Sequence, residues 1–329
     1  MKVLQVEGLS KQMGDGYVVK QISFAVAKGE KIGIAGQTGS GKSSLLKMIA
    51  GLMQPDEGRV VFQQKRVEGP DEKLIAGHPK IGYLSQHFEL RNNYHVHELL
   101  EMSNQLSDEA AANIYKICDI ESFLHRWTDE LSGGEKQRIA LAKILVAQPS
   151  LLLLDEPFSN MDVIHKKQLQ KVIQQIGVSL SLTCIMVSHD ASELLSWADQ
   201  LYLMQNGNFL QSGEPRLLYQ QPLNAYCAAL LGDVNLLDAS SNLFPALRSF
   251  FPDTTQWMIR PENIQIGGID GIIANGKVAA IHFMGPFSML DVKVGEQLLK
   301  VHSDKQSFNV GDTIRLSINA AAIHPMAKG

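Results

Sequence analysis

Gly36-Gln37-Thr38-Gly39-Ser40-Gly41-Lys42-Ser43 is the stretch whose reading decides the fold. Its spacing, G-x-x-x-x-G-K-S, is that of a phosphate-binding loop. Glycines allow the backbone to wrap closely around an anion, so that successive N–H groups converge on it. The flanks agree: the apolar run 32–35 predicts a strand entering the loop, and 42–50 predicts a helix that stops at Gly51, ahead of Pro55. A helix starting near Lys42 adds the positive end of its dipole to the same site. Lys42 would neutralise β- and γ-phosphate charge, and the Ser43 hydroxyl would hold Mg²⁺. The positions Gly36 to Ser44 are therefore the candidate nucleotide contacts on this side. A chance glycine-rich turn is the competing reading; the strand–loop–helix order weighs against it.

Downstream, Leu151-Leu152-Leu153-Leu154 is an apolar run that suits a strand buried on both faces, and Asp155-Glu156 follows it. Open α/β sheets bind ligands at the carboxyl ends of their strands, where these two carboxylates would emerge. Asp155 suits a metal ligand acting through water, and Glu156 suits a base that polarises attacking water. An acidic pair that merely starts a helix is the plainer alternative.

Between these two motifs lies Leu131-Ser132-Gly133-Gly134-Glu135, ahead of a helical pattern. Ser132 and Glu135 have the spacing of a capping box, and the two glycines leave the helix start bare. Bare N–H groups at a positive helix terminus make a second phosphate-binding element. One chain thus carries two.

With these motifs in this order, residues 1–232 resemble the nucleotide-binding subunits of ABC transporters, whose hallmark is the Leu-Ser-Gly-Gly signature. The resemblance implies that ATP is clamped between the loop 36–43 of one subunit and Ser132, Gly133 and Gly134 of another. It implies that Gln86 links Mg²⁺ and water to a membrane partner, with Ser43 and Asp155 as the other metal residues. It further implies that Ser159-Asn160-Met161-Asp162 is a D-loop, and that His189 is a switch histidine contacting the γ-phosphate. The family's adenine-stacking aromatic falls near Met13 by spacing from Lys20-Gln21-Ile22-Ser23; Tyr17, the nearest aromatic, is the candidate. The segment 87–97 departs from the usual importer sequence. The surface from Gln86 to about Arg126 is expected to dock membrane-subunit helices.

Working outward again, short β-type runs at 3–9, 22–26, 31–35, 60–62, 81–84, 151–154, 183–187 and 200–205 alternate with helical stretches up to about Gly232. The span 94–125 is helical in character. After Gly232 the texture becomes short β-runs at 258–259, 264–266, 278–281, 289–294, 298–302 and 313–318. Turn residues Gly267-Gly268, Asn275-Gly276, Gly285-Pro286 and Gly295 separate them. The fold class expected is α/β, a P-loop ATPase domain with a helical subdomain at about 87–145, followed by a small all-β barrel. The boundary is placed at 233/234. Leu231 to Leu237, Arg260-Pro261-Glu262-Asn263 and Val310-Gly311-Asp312 make the tail resemble a TOBE domain of the kind carried by importer ATPases for sugars, iron, polyamines, sulfate or molybdate.

Of 329 residues, 45% are hydrophobic and 19% charged, with a net charge of −4, a soluble balance without the basic footprint of a nucleic-acid binder. No apolar stretch approaches the ~20 residues of a membrane span. Cys118, Cys184 and Cys227 match no metal or disulfide spacing and read as thiols in a reducing cytosol. The function these features imply is ATP hydrolysis powering an ABC importer. The chain would sit peripherally on the cytoplasmic side of a bacterial inner membrane, with permease subunits, a second ATPase copy or a paired one, and a solute-binding protein. An exporter ATPase is one alternative, against which the β-rich tail weighs. A non-transport ABC ATPase is the other; the short interval between loop and signature and the single motif set weigh against it.

Overall fold

The structure, a computed structural model, describes residues 2–14, 16–86, 90–159, 161–241, 243–252, 254–304 and 307–326, with side chains for all of these except Val178 and Phe244. Contacts divide the chain into two units, Met1–Pro215 and Arg216–Gly329.

In the first unit, the strands β1 (Lys2–Met13), β2 (Gly16–Ala27), β4 (Glu57–Phe62) and β5 (Lys65–Arg66) form an antiparallel sheet in the order β2-β1-β4-β5. A six-stranded sheet is built from β3 (Lys31–Ala35), β6 (Ile81–Leu84), β7 (Leu151–Asp155), β8 (Thr183–Ser188), β9 (Gln200–Gln205) and β10 (Asn208–Gly213). Its order is β10-β9-β3-β8-β7-β6, parallel except at the β10 edge. Every residue of β7 is buried, as its unbroken apolar run requires of a strand covered on both faces. Each fully buried leucine contributes roughly 1.5–3 kcal/mol. One core cluster joins Leu4 and Val60 of the first sheet to Ile32, Leu153 and Ile185 of the second and to Leu45 of helix α1 (Lys42–Ile49). That packing fixes the start of α1 against the carboxyl ends of β3, β7 and β8.

The expectation of helix throughout 94–125 is corrected. Only α2 (Val96–Glu101) and α3 (Asp108–Ile117) are α-helical there, with a short 3₁₀ turn at Glu121–Phe123. Ser107 starts α3 anew by accepting a hydrogen bond from the Ala110 N–H, and the Asn104 side chain accepts one from the Leu106 N–H, so the chain turns between the two helices. Residues 87–89, part of the expected helical subdomain, lie outside the described residues, as does Asn160 of the D-loop motif. Helix α4 (Gly133–Val146) carries the signature, and α5 (Val163–Leu180) buries Leu169, Val172, Ile173 and Ile176 at helical spacing. A four-residue helix, α6 (Ser192–Leu195), follows β8.

The division falls after the first residue of α7 (Pro215–Gln220), so the second unit opens with the rest of that helix and α8 (Ala225–Leu231). It then forms the strands β11 (Asn235–Asp238), β12 (Gln256–Ile259), β13 (Ile264–Ile266), β14 (Ile272–Phe283), β15 (Ser288–Val294), β16 (Gln297–Ser303), β17 (Thr313–Ile318) and β18 (Ile323–Pro325). A helix, α9 (Phe244–Phe250), lies between β11 and β12. The sheets run β11-β12-β18 and β13-β17-β14-β15-β16, all antiparallel. The division at 215/216 falls earlier than the expected 233/234, and Arg260 shows why. Its buried guanidinium donates to the carbonyls of Tyr219 (3.1 Å), Ala228 (3.0 Å), Gly232 (3.0 Å) and Asp233 (2.9 Å), tying the segment 219–233 to the β-rich tail. The turn expected at Asn275-Gly276 is also corrected: β14 runs straight through it. Gly276 serves a close approach instead, since a Cβ there would stand 2.4 Å from Val292 Cγ1 of the neighbouring strand.

Candidate active site

The loop 36–41 leaves β3 and enters α1 through two glycines with left-handed backbone, Gly39 (φ 82°) and Gly41 (φ 103°). At Gly41 the requirement is doubled, because a Cβ would lie 1.9 Å from the Val18 carbonyl oxygen. Gly36 is confined by space alone, its Cβ position being 2.4 Å from the Met204 carbonyl oxygen. Lys42 is buried, and its Nζ donates to the carbonyls of Gly36 (2.7 Å) and Gln37 (3.0 Å) while lying 3.7 Å from Glu156 Oε1. Burial pulls the Lys42 ammonium below its ordinary pKa, and the carboxylates of Glu156 and Asp155 oppose that pull. Ser40 is buried, with no hydrogen-bond partner for its hydroxyl oxygen among the described residues.

At the end of β7, Asp155 Oδ1 accepts from Ser43 Oγ at 2.8 Å, and its Oδ2 accepts from Tyr83 Oη at 2.7 Å. Burial and the Asp155 carboxylate push the Tyr83 phenol well above its ordinary pKa, so it stays a donor. Glu156 takes a left-handed backbone, φ 46°, which costs a non-glycine residue roughly 1–2 kcal/mol. Its N–H is held by the Val187 carbonyl at 3.1 Å, and its Oε2 lies 3.0 Å from His189 Nδ1. Sheet order explains this meeting: β8 pairs with β7, Asp155 stands opposite Val187, and the next residues of both strands emerge at the same edge.

These groups surround a cavity of about 530 Å³ whose lining includes Thr38, Gly39, Gly41, Lys42, Ser43, Ser44, Gln86, Glu156 and His189. Val18 and Phe158 supply apolar surface, and Lys166, bonded to Glu193 at 2.6 Å, adds a cation. Gly36, Gln37 and Ser40 stand behind the lining, the first two as the carbonyls that hold Lys42. Tyr17 does not line the cavity. It is 42% exposed on β2, and the adjacent Val18, pointing to the other side of the strand, takes that place.

Nor does the signature reach this cavity. Ser132, Gly133 and Gly134 line a second one of about 310 Å³, with Gln86, Gln137, Ser159, Met161, Asp162 and His165. The capping box is formed: the Ser132 N–H donates to Glu135 Oε2 at 2.7 Å and Ser132 Oγ accepts from the Glu135 N–H at 3.4 Å. Gly134 leaves room for the His165 ring, whose carbons lie 2.9 Å from where a Cβ would stand, and Gly133 faces open space. Gln86 and Ser159 line both cavities. Gln137 of α4 donates to the Pro157 carbonyl, joining the signature helix to the turn after Asp155. The Ser159 hydroxyl donates to the Glu156 carbonyl at 2.9 Å, and Asp162 caps α5. Tyr83, Val18, Phe158 and Gln137 were not foreseen from sequence: Tyr83 and Val18 reach motifs far from them in the chain by tertiary packing, while Phe158 and Gln137 lie within three residues of a motif but carry no chemistry that marks them.

A parallel sheet with a glycine loop, a buried lysine and an acidic strand end at its carboxyl edge defines a P-loop nucleotide-hydrolysing domain. Family models describing "ABC transporter" and "TOBE domain" match residues 19–159 and 257–326. The chain is 30% identical to the spermidine/putrescine import ATP-binding protein PotA of Clostridium acetobutylicum, over 99% of this chain and 97% of that one. It is 32% identical to the Fe(3+) ions import ATP-binding protein FbpC of Pseudomonas fluorescens, over 96% of each. Its fold matches a dimeric ATP-binding cassette bound to ADP and Pi, with a TM-score of 0.56 and 24% identity over 65% of this chain and 99% of that one. The chain belongs to the ABC transporter family, as one of its nucleotide-binding ATPase subunits.

Proposed function

We propose that the chain is the ATP-hydrolysing subunit of an ABC importer, in which two copies, or one copy and a related subunit, close on ATP. The observation that carries this reading is the separation of the two phosphate-ready elements: loop 36–43 and Ser132 to Gly134 open into different cavities of one chain. A nucleotide held by Lys42 would therefore meet a signature only from a second subunit. Import, rather than export, is supported by the full-length likeness to import ATP-binding proteins and by the TOBE match at 257–326.

In this reading the backbone N–H groups of 39–43 and the Lys42 ammonium grip the β- and γ-phosphates. Ser43 and Gln86 line the first cavity, and Asp155 stands directly behind Ser43, 2.8 Å from its Oγ; these hard oxygen donors are a set that fits Mg²⁺, which favours one or two carboxylates plus substrate phosphates. Mg²⁺ bound there supplies charge neutralisation on the phosphate oxygens. Glu156 accepts a proton from the attacking water, and His189 fixes the Glu156 carboxylate and donates toward the γ-phosphate as its charge spreads. Val18 offers the apolar contact for the base that Tyr17 was expected to provide. Closure with ATP and opening with ADP is a population shift between two states of the pair, and permease helices docked on the Gln86–Arg126 surface follow it. No described helix is long and apolar enough to cross a membrane, so membrane passage falls to those permease subunits. A solute-binding protein outside the membrane, and a peripheral position on its cytoplasmic side, complete the arrangement.

The test is the mass of the Glu156→Gln chain in solution. With MgATP it is expected to run as a stable dimer with no phosphate release, and adding Ser132→Arg is expected to return it to monomer while each chain still binds ATP. A Glu156→Gln chain that stays monomeric with MgATP and every candidate partner subunit, or hydrolyses at the wild-type rate, sinks the reading.

A further inference from the structure

Asp155 is 3% exposed, and each of its oxygens is held by a hydroxyl from a different element. Ser43 Oγ, at the start of α1, reaches Oδ1 at 2.8 Å; Tyr83 Oη, from β6, reaches Oδ2 at 2.7 Å. The register explains the second contact. Tyr83 stands opposite Leu153 on β7, two residues short of Asp155, and side chains two apart on a strand leave from the same face. Bridging the gap means crossing about 4.8 Å between strands and advancing about 6.6 Å along them. Only a long side chain ending in a donor does both. Serine and threonine are too short, and phenylalanine would leave Oδ2 buried without a partner. The same strand then delivers Gln86, which lines both cavities.

We propose that Tyr83 is a positioning residue for the metal site, locking the Asp155 carboxylate with Oδ1 toward Ser43 and the nucleotide cavity. The inference rests on the MgATP reading above. Tyr83 touches neither phosphate nor metal; it removes the rotational freedom of the carboxylate, so that no ordering is left to be done when the metal arrives. A hydrogen bond to a charged group is of the size that changes an affinity about tenfold or more.

The experiment compares wild type with Tyr83→Phe, which keeps the ring and its packing, by binding of the fluorescent nucleotide MANT-ATP in EDTA and in Mn²⁺. In wild type, Mn²⁺ is expected to tighten MANT-ATP binding. In Tyr83→Phe the gain from Mn²⁺ is expected to fall about tenfold, while affinity in EDTA stays as in wild type. An equal gain in both proteins overturns the assignment. So does a variant weakened equally in EDTA and Mn²⁺, since that is the mark of a general packing role. Absence of any gain in wild type would instead remove the metal-site reading on which the inference stands.

Discussion

His189 Nδ1 lies 3.0 Å from Glu156 Oε2, although 33 residues separate them, and the same carboxylate lies 3.7 Å from Lys42 Nζ through its other oxygen. The residue proposed to activate water is thus held between two nitrogen groups before any nucleotide is considered. Replacing His189 by Ala releases one side of that grip and removes the proposed γ-phosphate donor. Turnover is expected to fall by about 10²-fold or more, with ATP affinity nearly unchanged, as read by phosphate release and equilibrium binding. Wild-type turnover in His189→Ala would show that the pairing is incidental.

Gly39 and Gly41 both have left-handed backbone, but only Gly41 is closed in by the Val18 carbonyl. Alanine at Gly39 therefore meets the conformational cost alone, about 1–2 kcal/mol. Alanine at Gly41 must also displace β2 or the loop, and is expected to lose nucleotide binding as well as more stability. Parallel thermal melts and ATP titrations of the two variants check the difference; equal behaviour would contradict the crowding at Gly41.

Arg260 satisfies four carbonyls and stacks on the Tyr219 ring, its guanidinium carbon 4.0 Å from the ring centre. Arg260→Met fills similar space yet leaves those acceptors without their donor. A loss of at least about 3 kcal/mol is expected from the second unit, measured as a lowered denaturant midpoint. A midpoint within about 0.5 kcal/mol of wild type would mean that water replaces the guanidinium at little cost.

Cys118, Cys184 and Cys227 are buried free thiols. Burial pushes the Cys118 and Cys184 thiols up to about 12 and raises Cys227 as well. Thiolate is the reactive form, so at pH 8 the folded chain should resist iodoacetamide at all three positions and react at three once unfolded in urea. Mass spectrometry after each treatment decides it; rapid native labelling at Cys118 or Cys184 would contradict their burial.

The loop 36–43, the carboxylates at the end of β7 and the Ser132–Glu135 cap were legible as motifs because each is contiguous, its conformation set by its own backbone and nearest neighbours. The β-rich tail was legible from its turn residues, with the exception of Asn275-Gly276. That pair reads as a hairpin turn in isolation, but it sits inside a strand because the neighbouring strand needs a residue without a side chain. The helical texture at 94–125 misled for a related reason: apolar spacing continued past Met102, but local side-chain hydrogen bonds at Asn104 and Ser107 broke the helix.

By itself, then, the sequence determined that this chain has a glycine loop between a strand and a helix, a buried acidic strand end and a capped, glycine-bare helix, since local conformation alone produces those. Only the tertiary structure decided that Tyr83 holds Asp155, that His189 faces Glu156, that Val18 rather than Tyr17 borders the cavity, and that the signature opens elsewhere. Those relations depend on which strands lie side by side and in what register. Pairing partners are chosen by burial of the whole sheet, a property that no short stretch of chain contains.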